Sequence, residues 1–287
     1  MLRGVHLNQK IEVRRGDLLA HFEVKPGRGL SPNRIANLYN SAIDRHFEAG
    51  LAIQPGQIES RLSYDAEAVL VGYLDDEPAA FVNLVKLRLD ADTAIPRTHQ
   101  QLTANETFAG TRPTDGNYWF CPWVGTEPDV RGLGWRAEID LGRGKRLASL
   151  GQLMVLAVKT RALKDTHAKK LFVYSRPSRL RAELERITQQ PFTFNISNGR
   201  LEVKDPVRKY FMNESGIYPA GQPADDLLLR IADHWAKIEN KRRVEPVYQF
   251  HGGLGAQFRP DLVFPHGQVH DWNALGYRTL LEYLLQR

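Results

Sequence analysis

Tyr118-Trp119-Phe120-Cys121-Pro122-Trp123-Val124-Gly125-Thr126-Glu127 opens the stretch that decides the fold of this chain. It reads as a buried strand. A Gly- and Arg-rich segment, residues 129–148, follows it. The mostly apolar residues 150–163 then read as a helix, and Leu171-Phe172-Val173-Tyr174-Ser175 as a second apolar strand. Strand, cationic glycine loop, helix, strand is the plan of a phosphate-binding βαβ unit. The first N–H groups of such a helix point into the loop, and the helix dipole favours an anion there.

Two loops compete for that anion. Arg131-Gly132-Leu133-Gly134 directly follows the first strand, and Arg143-Gly144-Lys145-Arg146-Leu147-Ala148-Ser149 directly precedes the helix. A helix running from Gly134 would carry Gly142, Gly144 and Gly151, each costing about 1 kcal/mol relative to Ala. A helix starting near Ser149 avoids the first two. The second loop is therefore preferred, with residues 127–142 as an extended connection.

Outward from this unit, Ser31-Pro32 supplies an N-cap with Pro at the first helical position. Ile35, Leu38, Tyr39, Ala42 and Ile43 then recur at helical spacing, so residues 32–47 predict an amphipathic helix. Residues 57–62 suggest another. Residues 68–74 and 79–89 form a predicted antiparallel hairpin about Asp75-Asp76-Glu77-Pro78. Ile11-Glu12-Val13 suggests a short strand, and residues 90–116 a loop or lid. Further on, residues 179–187 predict a helix, 195–203 a hairpin about Asn198-Gly199, 204–223 irregular chain and 224–241 a helix. Val247-Tyr248-Gln249-Phe250-His251 reads as the start of a last strand pair that residues 278–285 complete. The expected fold is α/β: a mixed, mostly antiparallel sheet flanked by helices, one domain over 1–287, with an insertion near 178–222.

The chain has 287 residues, of which 42% are hydrophobic and 25% charged, which is ordinary for a globular protein. Its net charge of +6 suits an anionic ligand, yet no dense Lys/Arg block marks a nucleic-acid tract. Cys121 is the single cysteine, so no internal disulfide can form, and the expected setting is a reducing one, the cytoplasm. Met1-Leu2-Arg3 is not followed by an apolar core, so no signal peptide is expected, and Met1 favours a free-standing chain. No stretch reaches the roughly 20 apolar residues of a membrane span.

Strand, Arg143-Gly-x-x-Leu147-Ala148-Ser149, helix and strand resemble the acyl-CoA loop of the GNAT acyltransferase superfamily, whose pattern is Gln/Arg-x-x-Gly-x-Gly/Ala. Arg146 stands where the central glycine is usual, and Arg136 where the other loop would end in Gly or Ala. The rest of the chain resembles one branch, the GNAT-like loading domains of modular polyketide synthases. That branch carries Cys-Pro before the loop, Thr-Arg after the next strand, Asp-Pro-Val-x-x-Phe-His-x-x-x-Gly-Ala and a late Asp-x-Asn. Here stand Cys121-Pro122, Ser175-Arg176, Glu245-Pro246-Val247-Tyr248-Gln249-Phe250-His251 with Gly255-Ala256, and Asp271-Trp272-Asn273. The four occur in the same order across most of residues 30–285.

The resemblance implies an acyl-CoA substrate and an acyltransferase, with decarboxylation of a malonyl- or methylmalonyl-thioester as the alternative reaction. The implied acceptor is the phosphopantetheine thiol of an acyl carrier protein, an amine being the open alternative. It maps the functional pair onto His251 and Ser175, with Arg176 beside them. Trp123, Val124 and Thr126 would line the pantetheine arm, and Arg143, Gly144, Lys145, Arg146, Leu147, Ala148 and Ser149 would grip the pyrophosphate. The chemistry is sound on its own terms. A neutral imidazole and a hydroxyl can both donate to a developing oxyanion, each worth roughly 2.7–4 kcal/mol when preorganised. Ser175 keeps the hydroxyl of the usual Thr without its rotamer-restricting methyl. An Arg of the family's Tyr-Arg-Pro-x-Asp run has no counterpart in 265–271, and a Trp of the first helix is replaced near Ile43 or Asp44. These departures motivate a non-catalytic CoA-thioester sensor as another reading. A basic nucleic-acid binder, with Trp119 and Trp123 stacking, is the remaining one. His266 and His270 lack a supporting Cys or carboxylate cluster, so no metal is expected. Cys121, in an apolar strand, reads as a buried inert thiol.

Overall fold

In the computed structural model, the described residues are 4–42, 52–90, 94–140, 144–189, 191, 194–197, 200–203, 246–264, 271, 274 and 276–285. The predicted helix at 224–241, Ile43, Asp44, Arg143, His266, His270 and Asn273 lie outside them.

Alternating apolar residues build the sheet. Strands β1 (Ile11–Arg15), β2 (Leu18–Pro26), β3 (Val69–Leu74), β4 (Glu77–Leu87), β5 (Tyr118–Thr126), β6 (Arg136–Asp140), β7 (Lys145–Ser149), β8 (Lys170–Ser175), β11 (Ala256–Phe264) and β12 (Arg278–Tyr283) form it. Among the described residues it has ten strands, in the order β11-β12-β8-β5-β4-β3-β2-β1-β6-β7. β9 (Phe194–Ser197) and β10 (Arg200–Val203) pair separately, at the predicted hairpin. Every pairing is antiparallel except β5 with β8. That parallel pair needs a crossover, which α4 (Leu150–Lys164) supplies.

Each face of the sheet carries its own helices. Leu70, Ala80, Val82 and Leu84 pack with Leu153, Met154, Leu156 and Ala157 of α4. The alternate residues Val69, Val71 and Phe81 pack with α1 (Pro32–Ala42) and α2 (Pro55–Tyr64). This odd–even division is the two-residue period of a strand buried on both sides. Gly72 is required on the α4 side, because a Cβ there would come within 2.4 Å of the Phe22 ring and 2.7 Å of Met154 Sδ. Among the described residues there are also three shorter helices, α3 (His99–Thr103), α5 (Leu180–Thr188) and α6 (Pro246–Gly252).

Several expectations are corrected. The polar N-terminus forms the full hairpin β1–β2, because Ile11, Val13, Ala20, Phe22 and Val24 alternate into the core. Residues 94–116 are no loose lid. They contain α3 and bury Leu102 and Phe108 against Phe120 and Phe172. Residues 136–140 of the expected connection and 145–149 of the preferred loop pair instead as the hairpin β6–β7, with Gly144 at φ +100° just before β7. Val247–His251 is helical, not a strand. Its β-prone residues are overridden by tertiary bonds at the helix end, and the last strand pair is β11–β12.

Candidate active site

The site begins at a proline. β5 and β8 pair from Tyr118–Lys170 to Cys121–Val173, and there the pairing stops. Pro122 has no N–H to offer, and the β4–β5 register shifts between Asn83 and Val85 opposite it. Beyond this point the two strands are no longer hydrogen-bonded to each other. A cavity of about 400 Å³ occupies the gap, within the usual size range of small-ligand sites.

Its walls come from both strands and from distant segments. β5 gives Cys121, Pro122, Trp123, Val124, Gly125 and Thr126. β8 gives Val173, Tyr174 and Ser175, with Arg176 just beyond. α6 adds Phe250 and His251, β12 adds Arg278, the first turn of α4 adds Gly151, and Arg131 lines the cavity as well. Gly125 is dictated by packing, since a Cβ there would sit 2.4 Å from the Phe81 ring.

His251 is buried, and its Nδ1 lies 3.0 Å from Tyr283 Oη. Tyr283 Oη also lies within donating distance of His251 O, at 3.4 Å; when its hydrogen turns to Nδ1 instead, the ring proton sits on Nε2. Burial alone drives the imidazole pKa down to about 3, so the ring is neutral at pH 7. Burial also pushes the Tyr283 phenol well up, which keeps it a donor. The C-terminal end of α6 and the turn after it are anchored by side chains that donate to their carbonyls. Gln152 Nε2 donates to Phe250 O at 3.2 Å, Arg146 Nη1 to Gly253 O at 2.9 Å, and Lys159 Nζ to Leu254 O at 3.3 Å. Tyr248 Oη bonds Thr279 Oγ1 at 3.0 Å.

Ser175 ends β8 and is 4% exposed. Its Oγ has no hydrogen-bond partner among the described residues. A buried hydroxyl left unpaired is costly and calls for an explanation. Next to it, Asp271 is buried between two guanidinium groups: Arg176 Nη1 at 3.2 Å from Oδ1 and Arg278 Nη1 at 2.8 Å from Oδ2. Two guanidinium groups that line the cavity thus flank one buried carboxylate at this end.

The structure therefore brings Ser175, Arg176, His251, Trp123, Val124 and Thr126 to one cavity, as expected from the sequence. It does not bring the preferred pyrophosphate loop there. Lys145 pairs with Glu138 at 2.8 Å, Arg146 is bonded to Gly253 O, and Ala148 is in the core. Leu147 is exposed, and the Ser149 hydroxyl accepts from Gln152 N as the cap of α4. Arg131, from the other loop, lines the cavity and donates to Ala42 O at 3.2 Å. Gly132 and Gly134 follow it at φ +78° and +85°. Arg278 and Tyr283 escaped sequence reading. The available signal was Arg278 itself, a cation heading the strand Arg278-Thr-Leu-Leu-Glu-Tyr. Cys121 is the inert thiol expected, pushed up to about 12 by burial. Trp119 is a core residue whose indole donates to Asp165 Oδ2 at 3.0 Å.

No protein-family model and no curated protein matches the sequence. Solved structures match the fold. The loading GNATL domain of CurA from Lyngbya majuscula aligns with a TM-score of 0.57 at 11% identity, covering 92% of this chain and 98% of that one. The GphF GNAT-like decarboxylase, solved with isobutyryl-CoA, gives 0.56 at 13%, covering 92% and 100%. Malonyl-CoA decarboxylase from Agrobacterium vitis gives 0.57 at 17%, covering 91% of this chain and 60% of that one. The fold is thus the GNAT-like α/β fold, a mixed sheet flanked by helices that splays at a parallel strand pair. No described helix is long and apolar enough to cross a membrane.

Proposed function

We propose that this protein is an enzyme acting on a CoA thioester, with the thioester carbonyl held between Ser175 and His251. One observation carries the reading: the buried, unpartnered Ser175 hydroxyl belongs to the same cavity wall as the neutral His251 imidazole. Two donors aimed at one oxygen are what a developing enolate or tetrahedral oxyanion needs. The acyl-pantetheine arm would enter the strand gap along Trp123, Val124 and Thr126. The pyrophosphate would rest near Arg131 and the start of α4, where Gly151 reaches the cavity.

The reaction best supported is decarboxylation of a short carboxyacyl-CoA of the malonyl kind. Arg278 supplies the cation that the sequence lacked in 265–271, and Asp271 holds it in place. In this step the bond between the α-carbon and the carboxylate carbon breaks and CO2 leaves. The electron pair moves to the thioester oxygen, where Ser175 Oγ–H and His251 Nε2–H stabilise the enolate. The α-carbon then takes a proton from water. Acyl transfer to a carrier-protein thiol is the second reading, favoured by the ordered motifs Cys121-Pro122, Ser175-Arg176 and Pro246–His251.

Incubation with malonyl-CoA and with acetyl-CoA, each with and without a phosphopantetheinylated carrier protein, separates the readings by product mass. Acetyl-CoA and CO2 formed from malonyl-CoA alone support decarboxylation. Consumption of acetyl-CoA that requires the carrier, with malonyl-CoA left intact, supports transfer instead. No turnover of either, with CoA thioesters still bound, would leave the sensor reading in their place.

A further inference from the structure

Behind the cavity wall lies a buried charged cluster that the proposed chemistry does not use. His99, from α3, reaches both sides of the strand gap. Its ring meets Trp123 of β5 edge-on at 5.5 Å and lies 6.0 Å from the Tyr174 ring of β8. Trp123 Nε1 points at His99 Nε2 across 3.2 Å, and Glu106 Oε1 stands 2.5 Å from that same nitrogen. Nε2 bonds only one of the two: protonated, it donates to Glu106 Oε1 and cannot also accept from the indole, so Glu106 fixes the His99 ring and the ring's edge contact carries that placement to Trp123. The other Glu106 oxygen is paired with Arg61 Nη2. Arg61 is fully buried, and its Nε and Nη1 have no hydrogen-bond partner among the described residues. Its guanidinium lies over Phe108 at 4.3 Å and Tyr39 at 5.7 Å, and Tyr39 packs edge-on against Trp123 at 5.9 Å. The circuit closes around the indole.

The arrangement is expensive to keep. A guanidinium with unsatisfied donors is held out of water. Ala104, Asn105, Glu106 and Phe108 all adopt positive φ, between +50° and +67°, to bring Glu106 inward. Burial raises the Glu106 carboxyl pKa, but the bonds and charges of His99 and Arg61 outweigh it and hold the group below its usual range. The carboxylate is therefore ionised, and its pairs with Arg61 and His99 tie α2 and α3 to the turn that follows α3.

We propose that His99 is a positioning residue that sets which acyl chains the cavity accepts, by fixing the spacing of Trp123 and Tyr174, and that Glu106 and Arg61 hold it there. The inference rests on the reading of the cavity as an acyl-CoA site. A wall held at fixed spacing discriminates by methylenes, and two methylenes in a well-packed site are worth about tenfold or more.

The test is calorimetric titration of the intact protein with acetyl-CoA and with butyryl-CoA, in wild type, His99→Leu, His99→Gln and Glu106→Gln. The expected result is a change of about tenfold in the acetyl-to-butyryl affinity ratio for His99→Leu. Glu106→Gln should shift it in the same direction, and His99→Gln, which keeps a polar group facing Trp123, should restore it to within about threefold. A ratio unchanged in both His99→Leu and Glu106→Gln would overturn the proposal. So would an equal loss of affinity for both thioesters, the mark of a merely structural role. Should His99→Leu not fold, Glu106→Gln against wild type decides alone. Failure of the wild type to bind either thioester would remove the CoA reading itself, a result distinguishable from the others.

Discussion

Replacing Ser175 by Ala separates a functional hydroxyl from a structural one, because the two effects have opposite sign. In the folded chain Ser175 Oγ is buried and has no hydrogen-bond partner among the described residues. An unpaired buried hydroxyl costs about 1–3 kcal/mol relative to a satisfied or absent one. Removing it should therefore stabilise the fold, by about 1 kcal/mol at the low end. For a domain of this size that raises Tm by about 2–4 °C. If the same hydroxyl donates to the oxyanion, its loss removes about 2.7–4 kcal/mol of transition-state binding, or about a hundred- to a thousandfold in kcat. Thermal denaturation and turnover of malonyl-CoA, measured on the same preparations, give both numbers. A lower Tm with unchanged turnover would show that Ser175 serves the fold and would refute the reasoning.

Other predictions follow from the same geometry. His251 has a folded pKa of about 3 against an ordinary 6.5, so the unfolded chain holds the extra proton between those values. Its contribution to stability is full above pH 6.5 and is lost as pH falls toward 3, by up to about 1.4 kcal/mol per pH unit. Urea denaturation of wild type and His251→Gln at pH 7 and pH 5 measures this, and a difference independent of pH would count against a buried neutral imidazole. Arg278→Met should weaken malonyl-CoA turnover far more than acetyl-CoA binding, and equal losses would sink its role at the carboxylate. Gly125→Ala drives a methyl into the Phe81 ring at 2.4 Å and should cost about 1–3 kcal/mol by calorimetry; a neutral result would mean that the wall yields. Ser149→Ala removes the α4 cap seen with Gln152 and should cost about 1 kcal/mol, and no change in denaturation midpoint would argue against that cap.

What the amino-acid order determined was local and periodic. The strand run at 118–126, the helix beginning after Ser149 and the strand at 171–175 follow from hydrophobic spacing and the cost of glycine inside a helix. The motifs around Cys121, Ser175 and His251 pointed to residues that do share a cavity. Tertiary structure decided what depends on partners far away in sequence. Val247–His251 carries β-prone side chains, yet it is helical, with carbonyls at its end and in the turn after it bonded by Gln152, Arg146 and Lys159 from another part of the chain. The same long-range bond takes Arg146 away from an anion-binding role, which no loop pattern can reveal. Arg176 and Asp271, far apart in sequence, meet only when β12 is laid beside β8. Spacing along the chain encodes which face a residue occupies. Which groups meet across that face is set by sheet order, a sum of weak contacts over the whole core that no short stretch contains.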